Sequence, residues 1–182
     1  VDKIKHTLDT IDREAFDGAV DQLIAAKNIY VFGVRSSFAL ATTLSYSLRM
    51  VFDNVHLIQS TSGSEVFEQM LGIGPDDVLI AISFPRYSSR TIRAMSFARD
   101  QGATTIAITD SEASPLAECS TLTLKARSDM ASFVDSLVAP LSLVNALIVA
   151  IAARKEKELS QTFANLERIW DEYDVYEKRV EE

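Results

Sequence analysis

Cysteine, histidine and proline are scarce in this sequence. The single cysteine, Cys119, cannot form an internal disulfide, which fits a reducing compartment such as the cytoplasm. The two histidines, His6 and His56, are far apart and lack the spacing typical of metal ligands, so we predict neither a metal site nor a cofactor. Only four prolines and a hydrophobic content of 47% in 182 residues argue against disorder and for one sizeable core.

Positive charge and long apolar runs are also limited. The chain has 18 Lys and Arg against 26 Asp and Glu, a net charge of −8, so it should repel polyanions and is not expected to bind nucleic acid directly. The longest apolar run, residues 137–153, is interrupted by Pro140, Ser142 and Asn145 and is shorter than a usual membrane span. No basic segment precedes an apolar stretch near residue 1, so we predict no signal peptide and no membrane contact.

What is present is organised around residues 78–91. Residues 78–83 form a nearly unbroken apolar run that ends in a hydroxyl, the pattern of a strand buried on both faces of a parallel sheet. Pro85 removes a backbone donor and prevents the strand from continuing. From Ser89 the apolar spacing becomes helical, and Gly102 follows as a natural stop.

This order places a helix N-terminus at the carboxyl end of a strand. Backbone N–H groups and the helix dipole favour an anion there. Hydroxyl donors are available from the side chains of Ser83, Ser88, Ser89 and Thr91. The stretch therefore predicts a phosphate pocket.

The same order of strand, serine-rich turn and helix occurs earlier in the chain. Residues 29–33 are predicted as a strand, 33–37 as a loop and 38–52 as a helix. Further strands are predicted at residues 55–58, 104–108 and 121–124, with short helices at 65–71 and 115–119. Five strands alternating with helices predict a three-layer, doubly wound α/β domain with a parallel sheet and helices on both faces. Both serine loops would then lie at the carboxyl edge of the sheet, where such folds bind ligands.

The two ends of the chain have helical patterns. Residues 1–11 and 15–24 follow helical spacing. Residues 133–153 are too apolar for a helix that faces water, so we expect them to be buried or to pack on a second subunit. A spacing close to a heptad seam follows in Leu159, Phe163, Leu166, Trp170 and Tyr173. The terminal helices can pair with each other, pair with a partner chain, or cover one face of the same domain.

Three segments, residues 29–41, 82–91 and 108–116, together resemble a SIS (sugar isomerase) domain. The resemblance is greatest to the effector-binding domain of RpiR-family bacterial transcriptional regulators, and it covers nearly all of residues 1–182. It implies a flavodoxin-like fold, a phosphorylated sugar or sugar acid as effector, a homodimer or tetramer, and a cytoplasmic protein. It also implies that DNA is bound only through an N-terminal helix-turn-helix domain that has no counterpart in these residues.

The resemblance assigns candidate ligand-binding residues position by position. The first family motif falls on residues 33–37 and the second on residues 83–91. Arg35, Pro85 and Arg86 depart from the family, since Arg35 and Arg86 replace glycines and Pro85 replaces a serine. The two arginines could supply charge-assisted contacts to a ligand with a second acidic group. The candidate ligand-binding residues are Arg35, Ser36, Ser37, Ser83, Arg86, Ser88, Ser89 and Thr91.

Each assignment has a structural alternative. Serines at strand ends often cap helices, and exposed arginines often form ordinary ion pairs. Tyr87 is expected to support loop structure and Cys119 to be a small core residue.

A sensor without catalysis is favoured over an isomerase or lyase. Isomerisation needs a base at the sugar, and Glu65 and Glu68 are the only candidates, although acids in a first helical turn more often just complement the dipole. A third possibility is a dimerisation module whose altered Pro85-Arg86 loop no longer accepts phosphate.

Overall fold

The structure is a computed structural model that describes residues 11–59, 64–128 and 136–176. Five strands form one sheet: β1 (Ile29–Gly33), β2 (Val55–Leu57), β3 (Val78–Ile82), β4 (Thr104–Thr109) and β5 (Leu122–Lys125). The α-helices of the described residues are α1 (Arg13–Ala25), α2 (Ser36–Leu48), α3 (Glu65–Glu68), α4 (Ser89–Asp100), α5 (Val138–Arg154) and α6 (Glu156–Glu172). The predicted fold class is confirmed.

The strand order creates a crevice at one edge of the sheet. All neighbouring strands are parallel, in the order β2-β1-β3-β4-β5. The chain runs outward from β1 to β2 and returns on the other side of β1 as β3, so the order reverses between β1 and β3. Gly33 and Ile82, the last residues of these two strands, are paired in register. The loops that follow them therefore start side by side, where open α/β sheets bind ligands.

Alternate side chains of each strand supply two separate cores. Ile29 and Val31 of β1 pack with α1, α2 and α5 on one face of the sheet. Tyr30 and Phe32 pack with α3 and α4 on the other face. Because successive side chains of a strand point to opposite faces, an unbroken apolar strand needs helices on both sides. The result is a rigid three-layer body that fixes the two loops.

Several predicted boundaries are wrong by a few residues, for local reasons. Helix α2 begins at Ser36 rather than at residue 38 and ends at Leu48 rather than at residue 52. The helix was predicted to end too late because Val51 and Phe52, which follow it in a turn, also pack against the core and so continue the apolar spacing. Strands β2 and β5 and the ends of β3 and β4 shift by one residue.

Two short helices are shorter than predicted. The helix at residues 65–71 is regular only over Glu65–Glu68 and continues as turns that carry the buried Met70. At residues 115–119 only a 3-10 turn forms, Ala117–Cys119. Ser114 acts there as the predicted N-cap, because its Oγ accepts a hydrogen bond of 3.1 Å from Ala117 N.

Helix α5 confirms the expectation of burial for part of residues 133–153; residues 133–135 lie outside the described part of the chain. Leu143, Val144, Leu147 and Ile151 belong to the core shared with α1 and α2. The opposite side of α5 remains exposed at Val138, Leu141 and Val149. The predicted contact with a second subunit stays a prediction.

Helix α6 leaves α5 at an angle of 97° and has no buried residue. The helix predicted over residues 1–11 falls almost wholly outside the described residues, so its pairing with α6 also stays a prediction. No single helix among the described residues is long and apolar enough to cross a membrane. Taken together, α5 and α6 meet the criterion of length and composition, but only as a pair bent by 97°, which is weak evidence for a membrane span.

Candidate functional site

The turn from β1 into α2 is unusually close. A Cβ built on Gly33 would lie 2.7 Å from the carbonyl oxygen of Ser37 and 3.3 Å from the Cβ of Ala41. Only glycine lets the end of β1 approach the first turn of α2 this closely. The N-terminus of α2 is therefore held directly against the carboxyl end of the strand.

Arg35 occupies a backbone conformation that suits glycine. Its φ is 56° and its ψ is −126°, outside the regions that residues with a Cβ normally adopt. Holding a non-glycine residue in such a region costs about 1–3 kcal/mol. Arg35 therefore occupies a position where glycine would fit without strain.

The N-terminus of α2 has neither a side-chain cap nor an acidic residue in its first turn. The first N–H groups of a helix lack intrahelical partners and carry the positive end of the dipole. Ser36 is exposed there, whereas Ser37 is only 6% exposed. This end of α2 is electrostatically suited to an anion.

The loop from β3 into α4 is closed by its own serines. Ser83, 4% exposed, accepts a hydrogen bond of 3.1 Å at Oγ from Ser88 N. Ser88 caps α4, because its Oγ accepts a bond of 3.4 Å from Thr91 N. The capping alternative therefore holds for Ser88. A hydroxyl that accepts an N–H still has its own proton to donate, so both side chains can also donate to a ligand.

Thr91, in the first turn of α4, has no exposed surface, and its Oγ1 has no hydrogen-bond partner among the described residues. Leaving a buried hydroxyl unpaired costs about 1–3 kcal/mol. Like α2, helix α4 carries no acidic residue in its first turn. The two helices that begin beside the crevice thus both lack the negative side chain that commonly complements a helix N-terminus.

Tyr87 links this loop to the end of β4. Its hydroxyl donates a hydrogen bond of 2.8 Å to Oδ1 of Asp110, which also accepts one of 3.2 Å from Thr109 Oγ1. Partial burial, and then the hydrogen bond and the charge of Asp110, raise the pKa of Tyr87 to about 12. The phenol therefore stays protonated at neutral pH and holds the loop as a donor.

The fold brings the predicted residues to one edge of the sheet. Arg35, Ser36, Arg86 and Ser89 are exposed, and Ser88 is half-buried. Ser37, Ser83 and Thr91 are buried. Whether they contact a ligand stays a prediction.

A shallow cavity of about 490 Å³, largely open to solvent, lies at the end of β2, next to this edge. It is lined by Leu57, Gln59, Glu65, Glu68 and Gln69. The side-chain amide of Gln69 bonds the main chain of Gln59 twice. Its Oε1 accepts a hydrogen bond of 2.9 Å from Gln59 N, and its Nε2 donates one of 2.7 Å to Gln59 O. Both candidate bases therefore face a space large enough for a small ligand.

Sequence reasoning missed Asp110 and the two glutamines. Asp110 directly follows β4 and so ends at the same sheet edge, a signal that was available in the sequence. The pairing of Gln59 with Gln69 joins residues ten apart through a turn and left no local pattern. Among the described residues no group of three or more His, Cys, Asp or Glu could hold a metal ion.

Known proteins resemble this chain both in sequence and in fold. An HTH-type transcriptional regulator of Caldanaerobacter subterraneus is 25% identical over 173 residues, covering 91% of this chain and 60% of that protein. The sugar isomerase domain of the RpiR transcription factor from Sphaerobacter thermophilus superposes with a TM-score of 0.87 at 26% identity, covering 92% of this chain and 93% of that one. This chain therefore spans less than two thirds of the Caldanaerobacter regulator.

Other solved structures share the fold at lower identity. NanR of Vibrio vulnificus, solved in complex with ManNAc-6P, has a TM-score of 0.79 at 20% identity and covers 94% of this chain and 66% of that one. Further neighbours at 18% identity are named as candidate sugar-phosphate or phosphosugar isomerases. The SIS domain profile matches residues 22–150, more than half of the chain. As the sequence predicted, the chain belongs to the SIS domain family.

Proposed function

We propose that this domain is the effector-binding part of a transcriptional regulator and binds a phosphorylated sugar or sugar acid in the crevice beyond β1 and β3. The observation that carries the proposal is the pairing of two helix N-termini, those of α2 and α4, at the ends of adjacent parallel strands. Neither first turn holds an acidic residue, and both offer backbone donors and hydroxyls to an anion. The Sphaerobacter and Caldanaerobacter proteins support the regulator assignment.

The phosphate is assigned to the serine loops. Ser37 and Ser83 lie at the ends of neighbouring strands, and Thr91 supplies a buried hydroxyl without a partner in the described structure. A phosphate has three oxygens that accept hydrogen bonds from N–H and O–H groups. The complex of NanR with ManNAc-6P supports a phosphosugar as the ligand class.

DNA binding would belong to a helix-turn-helix domain joined to this one in the whole regulator. The net charge of −8 gives the domain itself no attraction for DNA. The HTH-type relative, of which this chain covers 60%, supports that arrangement. Binding of the effector would act on DNA affinity through a difference in affinity between two conformations.

A second copy of this chain is the proposed partner of the exposed apolar faces. Phe163, Ile169 and Tyr173 are exposed on or next to α6, and Val138 and Val149 on α5. A twofold axis would place the same helices of two copies against each other, as in most homodimers. A homodimer, or a tetramer, would cover these surfaces.

A phosphosugar isomerase is the second candidate, and the cavity at the end of β2 favours it. That cavity exposes Glu65 and Glu68, and a carboxylate at the sugar can act as the base of isomerisation. Turnover of a bound sugar phosphate, lost in a Glu68→Gln variant, would establish the enzyme.

The proposal is tested by isothermal titration calorimetry with phosphosugars and phosphorylated sugar acids, followed by phosphorus NMR of each bound compound. Thr91→Val is the informative variant, because the valine is nearly isosteric and removes a hydroxyl that has no partner in the described structure. We expect it to weaken binding at least tenfold without lowering the melting temperature. Ser160→Ala, on exposed α6, is the matched control.

Three outcomes would change this assignment. If Thr91→Val binds the ligand with unchanged affinity, the assignment of the phosphate to the α4 loop is wrong. Consumption of a bound compound would make the domain an enzyme. If no compound binds, the pocket is vestigial and dimerisation is the remaining role.

A further inference from the structure

Two arginines lie beside the crevice, although the backbone N–H groups of the two helix N-termini could hold a phosphate without them. Arg35 follows β1 and Arg86 follows β3, and these strands end in register at Gly33 and Ile82. Both side chains are exposed. The two arginines therefore lie on neighbouring loops at the edge of the predicted phosphate site.

Neither guanidinium serves an evident structural purpose. Within residues 11–59, 64–128 and 136–176, the guanidinium group of neither Arg35 nor Arg86 has an ion-pair or hydrogen-bond partner. Arg35 is also held in a backbone conformation suited to glycine. A residue kept in a strained conformation without a stabilising contact indicates a function for its side chain.

The charge arrangement points the same way. Arg90 lies in the first turn of α4, and Arg86 lies just before that helix, although cations are disfavoured near a helix N-terminus. In a chain with a net charge of −8, this concentrates positive charge at one edge of the sheet. A dianionic phosphate can be held by the two helix N-termini and the hydroxyls, so the arginines exceed what one phosphate requires.

We propose that the effector carries a second anionic group, a carboxylate or a second phosphate, and that Arg35 and Arg86 bind it. This inference rests on the proposed function, since the first anion is the phosphate held by the serine loops. A guanidinium presents paired N–H donors that match the two oxygens of a carboxylate or phosphate. The ligand class is therefore phosphorylated sugar acids and sugar bisphosphates rather than neutral sugars with one phosphate.

The test compares ligands that differ in one group. Calorimetry is done with pairs of open-chain hexose derivatives, such as gluconate 6-phosphate against glucitol 6-phosphate and mannonate 6-phosphate against mannitol 6-phosphate. Of the two acids, the one that binds more tightly should have an affinity at least tenfold higher than that of its matching alcohol. Arg35→Gly and Arg86→Gln should each reduce that preference severalfold, because each variant weakens binding of the acid more than binding of the alcohol.

Arg35→Gly also separates function from folding. Glycine adopts the observed backbone without strain, so this variant should melt at a higher temperature than the wild type while losing the preference for the acid. Arg93→Gln, an exposed arginine farther along α4, is the matched control and should keep the preference.

The outcomes distinguish the two proposals. If acid and alcohol bind equally and Arg35→Gly changes neither affinity, the second anion is wrong while the phosphate site stands. If Thr91→Val has no effect on any bound compound, the phosphate does not lie at the α4 loop, and the second anion site beside it is wrong as well. If neither inorganic phosphate nor any member of the pairs binds, effector binding in this crevice is wrong altogether.

Discussion

The hydroxyl of Tyr87 donates a hydrogen bond of 2.8 Å to Oδ1 of Asp110 and so ties the loop after β3 to the end of β4. That loop contains Pro85 and Arg86. It is therefore held by a side-chain bond to its neighbour in addition to its own serines. The crevice is built from three adjacent strand ends rather than two.

Removing this bond should loosen the loop. Tyr87→Phe is expected to lower the free energy of unfolding by about 1 kcal/mol, the usual net value of one hydrogen bond. A double-mutant cycle with Asp110→Ala, measured by urea unfolding, isolates the interaction. A coupling free energy near zero would contradict the stabilising role.

The same bond predicts a loss of stability at alkaline pH. Because the pKa of Tyr87 is raised to about 12 in the folded state from its usual value near 10, the unfolded state loses its proton first as pH rises. The contribution of Tyr87 is complete below pH 10 and is lost between about pH 10 and 12. Melting temperatures of the wild type and Tyr87→Phe should converge across this range, and parallel curves would argue against it.

The close approach at the turn after β1 can be tested at Gly33, with Gly18 in α1 as the control. Gly33→Ala should cost about 1–3 kcal/mol of stability, because the new Cβ would lie 2.7 Å from a backbone oxygen. Gly18→Ala, inside α1 with only ordinary contacts to Leu122, should instead stabilise by about 0.5–1 kcal/mol. Chemical denaturation of both variants checks the prediction, and equal effects would refute the close approach of β1 and α2.

Ser83 has a structural role besides its predicted ligand contact. In Ser83→Ala the N–H of Ser88 loses its acceptor, so we expect a loss of about 1–3 kcal/mol. Ser160→Ala, on exposed α6, should stay within about 0.5 kcal/mol of the wild type. If Ser83→Ala weakens binding, its stability must therefore be measured before the loss is attributed to ligand contact.

The apolar side of α6 should decide the oligomeric state. Leu166→Glu places a charge in the predicted seam and should shift the mass measured by light scattering toward the monomer. Gln161→Glu adds the same charge on the side of α6 opposite the seam and should leave the mass unchanged. A wild type that is monomeric at micromolar concentration would remove the interface altogether.

Local pattern was enough to predict most of the sheet. The run 78–82 is apolar throughout because β3 is buried on both faces, and its short length and the turn residues on either side favour a strand over a buried helix. The helix ends were less predictable. Val51 and Phe52 continue the apolar spacing from a turn because they pack on the same core as α2, and the spacing alone cannot show where hydrogen bonding stops.

The sequence by itself determined the five strands, the serine-rich turns and their common edge, because these follow from the period of apolar residues and from the order of strand and helix. Only the tertiary structure decided how the loops are held. Tyr87 meets Asp110 across 23 positions of the chain, and Ser83 meets Ser88 because the loop folds back on itself. The strain at Arg35 likewise appears only in the backbone angles, since arginine has no local preference for a positive φ that a sequence could show.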